Sequence, residues 1–445
     1  MANNLIRSLA LVGAVAFIPA TTASLAQVDV GAYREIDQFM SVLERVKSEY
    51  VDQVDDATLI RGAIDGMLNS LDPHSSYLDE RGFRSLMTTT DGNYGGLGLT
   101  VTLEDGAVKV IAPTRGTPAD RAGIKAGDFI THVDGRLIYG GTIDEAVDRM
   151  RGPPGTSVRL TVVRPGRERP FDVSITRAII DIQAVRWEVK DQVGILNVTT
   201  FNRNTVEATQ RAMADIERQL GGPPLGYILD LRSNPGGLLD QAIGLSDLFL
   251  ERGEVVSQRG RRRTDIERYY ARPGDAAKGL PVIVLVDAGS ASASEIVAAA
   301  LQDHRRAVVM GERTFGKGSV QTLVPLGTGN TALRLTTARY YTPSGRSVQE
   351  GGITPDIIVP QLSDPDYRSR MRVRESDLRR HLVNEAGVED DLIQDDGRPD
   401  PRFSATPEEL TRRGIEDFQL HYALQTIARL ERTRSAAAGA RRGGR

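Results

Sequence analysis

The 445-residue sequence predicts an α/β protein: a mainly parallel βα core, an inserted β-rich domain, and helical regions at both ends. Three observations carry that prediction. From about Trp187 onward, apolar strand segments alternate with amphipathic helical ones, the pattern of βα units stacked into a sheet covered by helices. Residues 94–178 interrupt the chain with short strands and turn dipeptides such as Asp105-Gly106 and Asp134-Gly135. A chain of 445 residues also exceeds one ordinary domain, so two or three cores are expected.

Composition narrows the function. A formal charge of −3 gives no overall basic field, which excludes nucleic acid as a partner on electrostatic grounds. The cluster Arg259, Arg261, Arg262 and Arg263 is read as a solvated loop between strands. The absence of cysteine removes disulfides, thiolate metal sites and thiol nucleophiles. Residues 1–26 read as an export leader: Arg7, an apolar run over 9–18, Pro19, then Ser24-Leu25-Ala26 as a cleavage site. The run is short for a bilayer span, so export to a bacterial periplasm with cleavage near Ala26 is expected, and an uncleaved anchor is the alternative.

An N-terminal helical region is expected over 27–93. Ile36, Phe39, Leu43, Val46 and Tyr50 step at helical spacing, as do Leu59, Ala63, Ile64, Met67, Leu68 and Leu71 after an Asp55-Asp56 cap. The turn Leu71-Asp72-Pro73-His74-Ser75 ends the second helix, and adjacent His74 and Ser75 are read as structural. Within 94–181, strands are expected over 97–103, 108–111, 129–133, 157–163 and 171–175, with helices over 117–122 and 142–150. This order, headed by Gly96-Leu97-Gly98-Leu99, resembles a PDZ domain. The resemblance implies a loop of backbone N–H groups for a chain-terminal carboxylate and a peptide groove beside the helix bearing Ile143, Val147 and Met150. Arg151, just past that helix, is a candidate partner for the carboxylate or for the neighbouring domain, or a plain solvated arginine.

In the core, over 182–360, strands are expected at 193–199, 226–231, 281–286 and 307–310, and helices at 205–220, 238–249 and 293–302. Ligands in such sheets sit at the carboxyl ends of strands. Two loops lie there, Arg232 to Gly237 and Asp287 to Ser292. Beyond 360 a charged helical tail is expected, with a helix near 415–430 and no order in the Gly/Ala/Arg-rich stretch from Ser435.

Ser292-Ala293-Ser294-Glu295 fits a helix capping box, and capping is the default role of such a serine. A serine at a strand-to-helix junction nevertheless has a helix start beside it to donate to an oxyanion. It needs a base. None of His74, His132, His304, His381 and His421 is placed to serve; His304 lies past the far end of the same helix, roughly 15–18 Å away at 1.5 Å per residue. Lys317, flanked by Gly316 and Gly318, is the better candidate, provided burial lowers its pKa by about three units, or ~4 kcal/mol. Gln321, four residues on, offers a carboxamide oxygen to aim the amine.

These segments, with Asp230 to Gly237, Gly311 to Gly318, the Asp72-Pro73-His74-Ser75 turn and Tyr341-Thr342-Pro343-Ser344-Gly345-Arg346, resemble the carboxyl-terminal processing peptidases over residues 35–360. The resemblance implies Ser292 as nucleophile, Lys317 as general base, Gln321 as its orienting residue, and the N–H groups of Gly237 and Ala293 as the oxyanion hole. It also implies no metal or other cofactor, substrates with accessible C-termini, self-association, and room for a lipoprotein-type adaptor. A non-catalytic PDZ adaptor that binds protein C-termini is the alternative, and an acyl-transfer enzyme acting on small thioesters a more distant one.

Overall fold

The structure is a computed structural model that describes residues 30–327, 330–367, 369–385, 387 and 402–442. The leader expected over 1–26 lies outside the described residues. The chain divides at Gly66 into two compact units. The first is helical. Helix α1 (Val30–Glu49) is followed by α2 (Asp56–Asn69), whose start is capped by Asp55 through the N–H of Thr58 at 3.0 Å. Lys47 pairs with Asp56 at 3.0 Å, and Ile36 and Phe39 are exposed on α1.

The second unit opens with β1 (Ser76–Leu78), α3 (Glu80–Asp91) and β2 (Asn93–Gly96). Helix α3 has too few apolar residues to announce itself by period, yet its ends are well specified. Asp79 accepts from Gly82 N at 2.8 Å, and Gly92 closes the helix in the left-handed region.

The inserted domain follows the expected order. Strand β3 (Leu99–Glu104), β4 (Ala107–Pro113), helix α4 (Pro118–Arg121), β5 (Phe129–Val133), β6 (Arg136–Leu137), α5 (Ile143–Met150), β7 (Ser157–Val163) and β8 (Phe171–Thr176) pack around Val108, Val110, Ile130, Leu160 and Val162. The next strand, β9 (Ala178–Asp181), pairs antiparallel with β2, so the strands entering and leaving the domain form one ribbon. Buried Arg177 donates to the carbonyls of Arg149 and Met150 at 3.0 and 2.9 Å, closing the C-terminus of α5 with a cation where the helix dipole favours one.

The core comprises β10 (Val185–Lys190), β11 (Val193–Val198), α6 (Thr205–Leu220), β12 (Tyr227–Asp230), α7 (Leu239–Asp247), β13 (Gly253–Gly260), β14 (Ile266–Ala271), β15 (Val282–Val286), α8 (Ala293–Asp303), β16 (Val308–Gly311), β17 (Ser319–Leu326), β18 (Thr331–Tyr341) and β19 (Ile357–Ile358). The main sheet runs β10-β11-β12-β15-β16-β19, parallel except at β10. Its central strands β11, β12, β15 and β16 are buried on both faces, which is why they read as continuous apolar runs. Tyr227, Leu229, Val282, Val284 and Val286 face helices α6 to α8, while Ile228, Ile283 and Leu285 face the other way.

Two features depart from the expected plan. A second, wholly antiparallel sheet, β1-β18-β13-β14 with β17 also on β18, packs beyond α7 and α8. The segment after 360 is also no appendage. Phe403, the short helix Pro407–Arg412 and the long helix Phe418–Arg442 cover the second face of the main sheet, with Leu410, Ala423 and Ile427 fully buried. That long helix continues past Ser435, where composition predicted no order; its alanines favour helix. Among the described residues no helix is long and apolar enough to cross a membrane.

Candidate active site

Strands β12, β15 and β16 are neighbours, and the loops leaving their carboxyl ends meet. Asn234, fully buried, holds the first two together: its carbonyl accepts from Ala291 N at 3.0 Å and Ser294 Oγ at 2.9 Å. Its amide donates to Val198 O at 2.7 Å and its Oδ1 accepts from Gly236 N at 2.9 Å. The third loop joins where Phe315 N donates to Ser290 O at 3.0 Å. Gly236 and Gly237 are required here. Gly237 has φ +146°, and a Cβ on it would lie 2.2 Å from Phe201 O; one on Gly236 would lie 2.9 Å from the Cβ of Ser292 and 3.0 Å from Ala293 N. The Gly236-Gly237 backbone thus lies against Ser292 and the first N–H of α8.

Ser292 itself has φ +54° and ψ −111°, a conformation L-residues rarely adopt and one associated with functional sites. An ordinary N-cap has extended geometry, so the capping expectation is met only in half. The hydroxyl makes no capping hydrogen bond, while Glu295 Oε2 accepts from Ser292 N at 2.8 Å. The side chain is 8% exposed, at the edge of the sheet.

Lys317 sits in the turn before β17. Gly316 (φ +96°) and Gly318 pack against the backbone of Glu350 and Gln349, where a Cβ would come within 2.6 and 2.5 Å. Lys317 Nζ donates to Gln321 Oε1 at 2.5 Å, and Gln321 Nε2 donates to Ser319 Oγ and Thr336 Oγ1 at 3.0 and 3.1 Å, which fixes the carboxamide's orientation. Lys317 precedes the strand, and a bulge between Val320 and Gln321 re-aims the glutamine, so the two do not share one face of a regular strand. Desolvation lowers the Lys317 pKa, with Arg334 adding to it and Glu375, Glu295 and Asp72 opposing.

The residue joining the two loops is one that the sequence offered only as a cap. Glu295 is fully buried, and its carboxylate accepts from Ser292 N, Lys317 N at 2.9 Å, Gly316 N at 2.7 Å and Thr314 Oγ1 at 2.5 Å. One carboxylate thereby fixes the backbone of both Ser292 and Lys317. Burial pushes its pKa up to about 7, against four donors that pull it down. Asp72 was equally unmarked: it accepts from His74 N, Ser75 N and Ser75 Oγ at 2.8, 2.9 and 2.7 Å and from Thr336 Oγ1 at 3.1 Å, so the early turn abuts the Gln321 network. His74 is structural in that turn and bonds Glu375, not Ser75. His304 Nε2 bonds Glu254 O at 2.7 Å, and no histidine bond to Ser292 is found among the described residues.

In the inserted domain, Gly96 ends β2 within the ribbon, and Leu97 and Met150, 3% and 6% exposed, belong to the domain core. Half-buried Leu99, Ile143 and Val147 retain surface to offer a ligand, and Gly98 (φ +77°) packs on Thr117. Arg151 lies over the Tyr94 ring at 4.8 Å, which engages it within the chain. Arg261 to Arg263 are exposed, as expected, but Arg259 belongs to β13 and lies over the Tyr341 ring at 3.8 Å instead of in a solvated loop.

A serine with this backbone and a lysine whose pKa burial lowers thus lie in loops tied by one carboxylate, on an α/β core that carries an inserted β-rich domain. Residues 192–359 match the peptidase family S41, residues 109–164 the PDZ domain, and residues 18–82 the N-terminal domain of the activating protease CtpB. The carboxy-terminal-processing protease of Bartonella bacilliformis is 51% identical over 352 residues, covering 79% of this chain and 81% of that one. The carboxy-terminal processing proteases CtpB and CtpA of Bacillus subtilis are 34% and 37% identical, over 87% and 75% of this chain and 81% and 70% of theirs. The chain belongs to the carboxyl-terminal processing serine proteases of family S41.

Proposed function

We propose that this protease works through a Ser292/Lys317 dyad on exported proteins whose C-terminal tails dock in the PDZ groove. The observation that carries the reading is the desolvated Lys317 amine, aimed by Gln321 and tied to Ser292 through Glu295. A tail would add as a strand beside β3, with its apolar end against Leu99, Ile143 and Val147 and its carboxylate at the Gly96-Leu97-Gly98 backbone. The adjoining segment then reaches Ser292.

Neutral Lys317 takes the proton of Ser292 Oγ as the oxygen attacks the scissile carbonyl. The resulting oxyanion accepts from the N–H groups of Gly237 and Ala293. Lys317 passes the proton to the leaving amine, the C–N bond breaks, and an acyl-enzyme ester remains. Water attacks that ester, giving one proton to Lys317, which returns it to Ser292 as the acid product leaves. No cofactor takes part.

Ser292→Ala should abolish turnover of a tail-bearing substrate while leaving tail binding intact; retained cleavage refutes the assignment. The exported location is tested by fractionating cells that express the full chain, with release in the periplasmic fraction expected. In the same cells, recovery of the Ser292→Ala protein with bound substrates, a second copy or a lipoprotein would identify its partners.

A further inference from the structure

The chain beyond the sheet returns to the site. Arg374 Nη1 donates to the carbonyls of Arg313 and Thr314 at 3.0 and 2.7 Å, and Glu375 N donates to Phe315 O at 3.1 Å, so this segment is stitched to the turn that presents Lys317. Glu375 is fully buried. Its carboxylate faces His74 Nε2 at 2.8 and 2.9 Å and accepts from Gln349 Nε2 at 3.0 Å. Gln349 Oε1 in turn accepts from Gly318 N at 3.0 Å. The turn is therefore held on both sides of Lys317, at Phe315 and at Gly318, by one buried carboxylate residue. An ionised carboxylate offers only acceptors, so His74 Nε2 carries the proton in this contact.

A buried charge without a stabilising role is costly, and His74 and Gln349 leave Glu375 well bonded. Nothing in the mechanism above uses it. We propose that Glu375 is a positioning residue for Lys317: through its own N–H on Phe315 and through Gln349 on Gly318 it anchors the turn on both sides of the lysine and holds a buried carboxylate beside that turn. Among the groups facing Lys317, Glu375 acts most strongly to raise its pKa, ahead of Glu295 on α8 and Asp72 in the early turn; Arg334 on β18 acts the other way. His74 and Arg374 flank Glu375 and complete the charged set. The sign follows: a negative charge favours the protonated amine, so removing it lets Lys317 lose its proton at lower pH.

This inference rests on Lys317 being the general base, and the test separates the two. In the full-length protein, kcat/KM on a fluorogenic peptide with an apolar C-terminal tail is followed against pH for the wild type and Glu375→Gln. A wild-type profile without an acid limb sinks the base assignment itself. With a limb present, Glu375→Gln should move it to lower pH by on the order of one unit. A merely structural Glu375 would instead lower kcat/KM at every pH with the limb unmoved, and that result overturns the proposal. Should the single variant fail to fold, the comparison is made between His74→Gln and His74→Gln/Glu375→Gln, in which the two carboxamides bond each other and only the carboxylate charge is lost. The same downward shift is expected there, and an unmoved limb again overturns the proposal.

Discussion

Glu295 decides more at the residue scale than its place in a capping box indicated. All four of its bonds are accepted, two on each oxygen. Glu295→Gln would turn an amide N–H₂ toward N–H donors, leaving buried donors unpaired at about 1–3 kcal/mol and loosening the Ser292 and Lys317 backbones together. We expect kcat to fall at least tenfold with KM little changed, measurable on a tail peptide, and a lower melting temperature. Ser292 stood out because a capping motif placed it at a predicted strand-to-helix junction, and Lys317 because two glycines flank it where no histidine was placed to serve. Glu295 was visible, but its tie to Lys317 was not, since no local spacing reports that a carboxylate spans two loops. Glu375 and Asp72 were illegible for a plainer reason: the His74 to Glu375 contact joins residues 301 positions apart.

Among elements, those built from neighbouring residues were read well. The inserted domain's strands and α5, and the βα units from β11 to β16, follow from apolar period and turn residues, and most bounds differ by a residue or two. The antiparallel sheet was missed because the pairings that join its hairpins are remote, as between Ser76 and Arg334 and between Ser257 and Tyr341, and because β14, with Glu267, Arg268 and two tyrosines, has no clean alternation. The C-terminal helix was seen but taken for an appendage, since its buried stripe is thin. Ile427, buried between that helix and the main sheet, tests its role. Ile427→Ala should destabilise the protein by about 2–5 kcal/mol in a denaturant titration, whereas an appended helix would give almost nothing. By contrast, Arg81 on α3 pairs with Asp144 and Asp148 of α5 at 3.4 and 3.3 Å between exposed side chains. Arg81→Ala should change stability by less than about 1 kcal/mol, so any effect on tail-dependent cleavage would reflect the placement of α5.

For the whole molecule, the β2-β9 ribbon makes the PDZ domain an insertion with a single stalk, packed where Asn202 bonds Ile182 O and Arg203 pairs with Asp91. Replacing residues 97–177 with a short Gly-Ser linker should leave the peptidase core folded and remove discrimination between free and amidated C-termini. Equal preference for a free C-terminus in the intact and excised proteins would refute tail reading by this domain. The account turns on Lys317 acting as a neutral base on Ser292. The most direct measurement is the rate of acylation by a serine-reactive probe, followed by intact mass from about pH 5 to 9 in the wild type, Lys317→Ala and Ser292→Ala. The account predicts one adduct, on Ser292, forming faster as pH rises through the depressed pKa of Lys317 and nearly abolished in Lys317→Ala. Labelling that is flat with pH, or undiminished without Lys317, would contradict it.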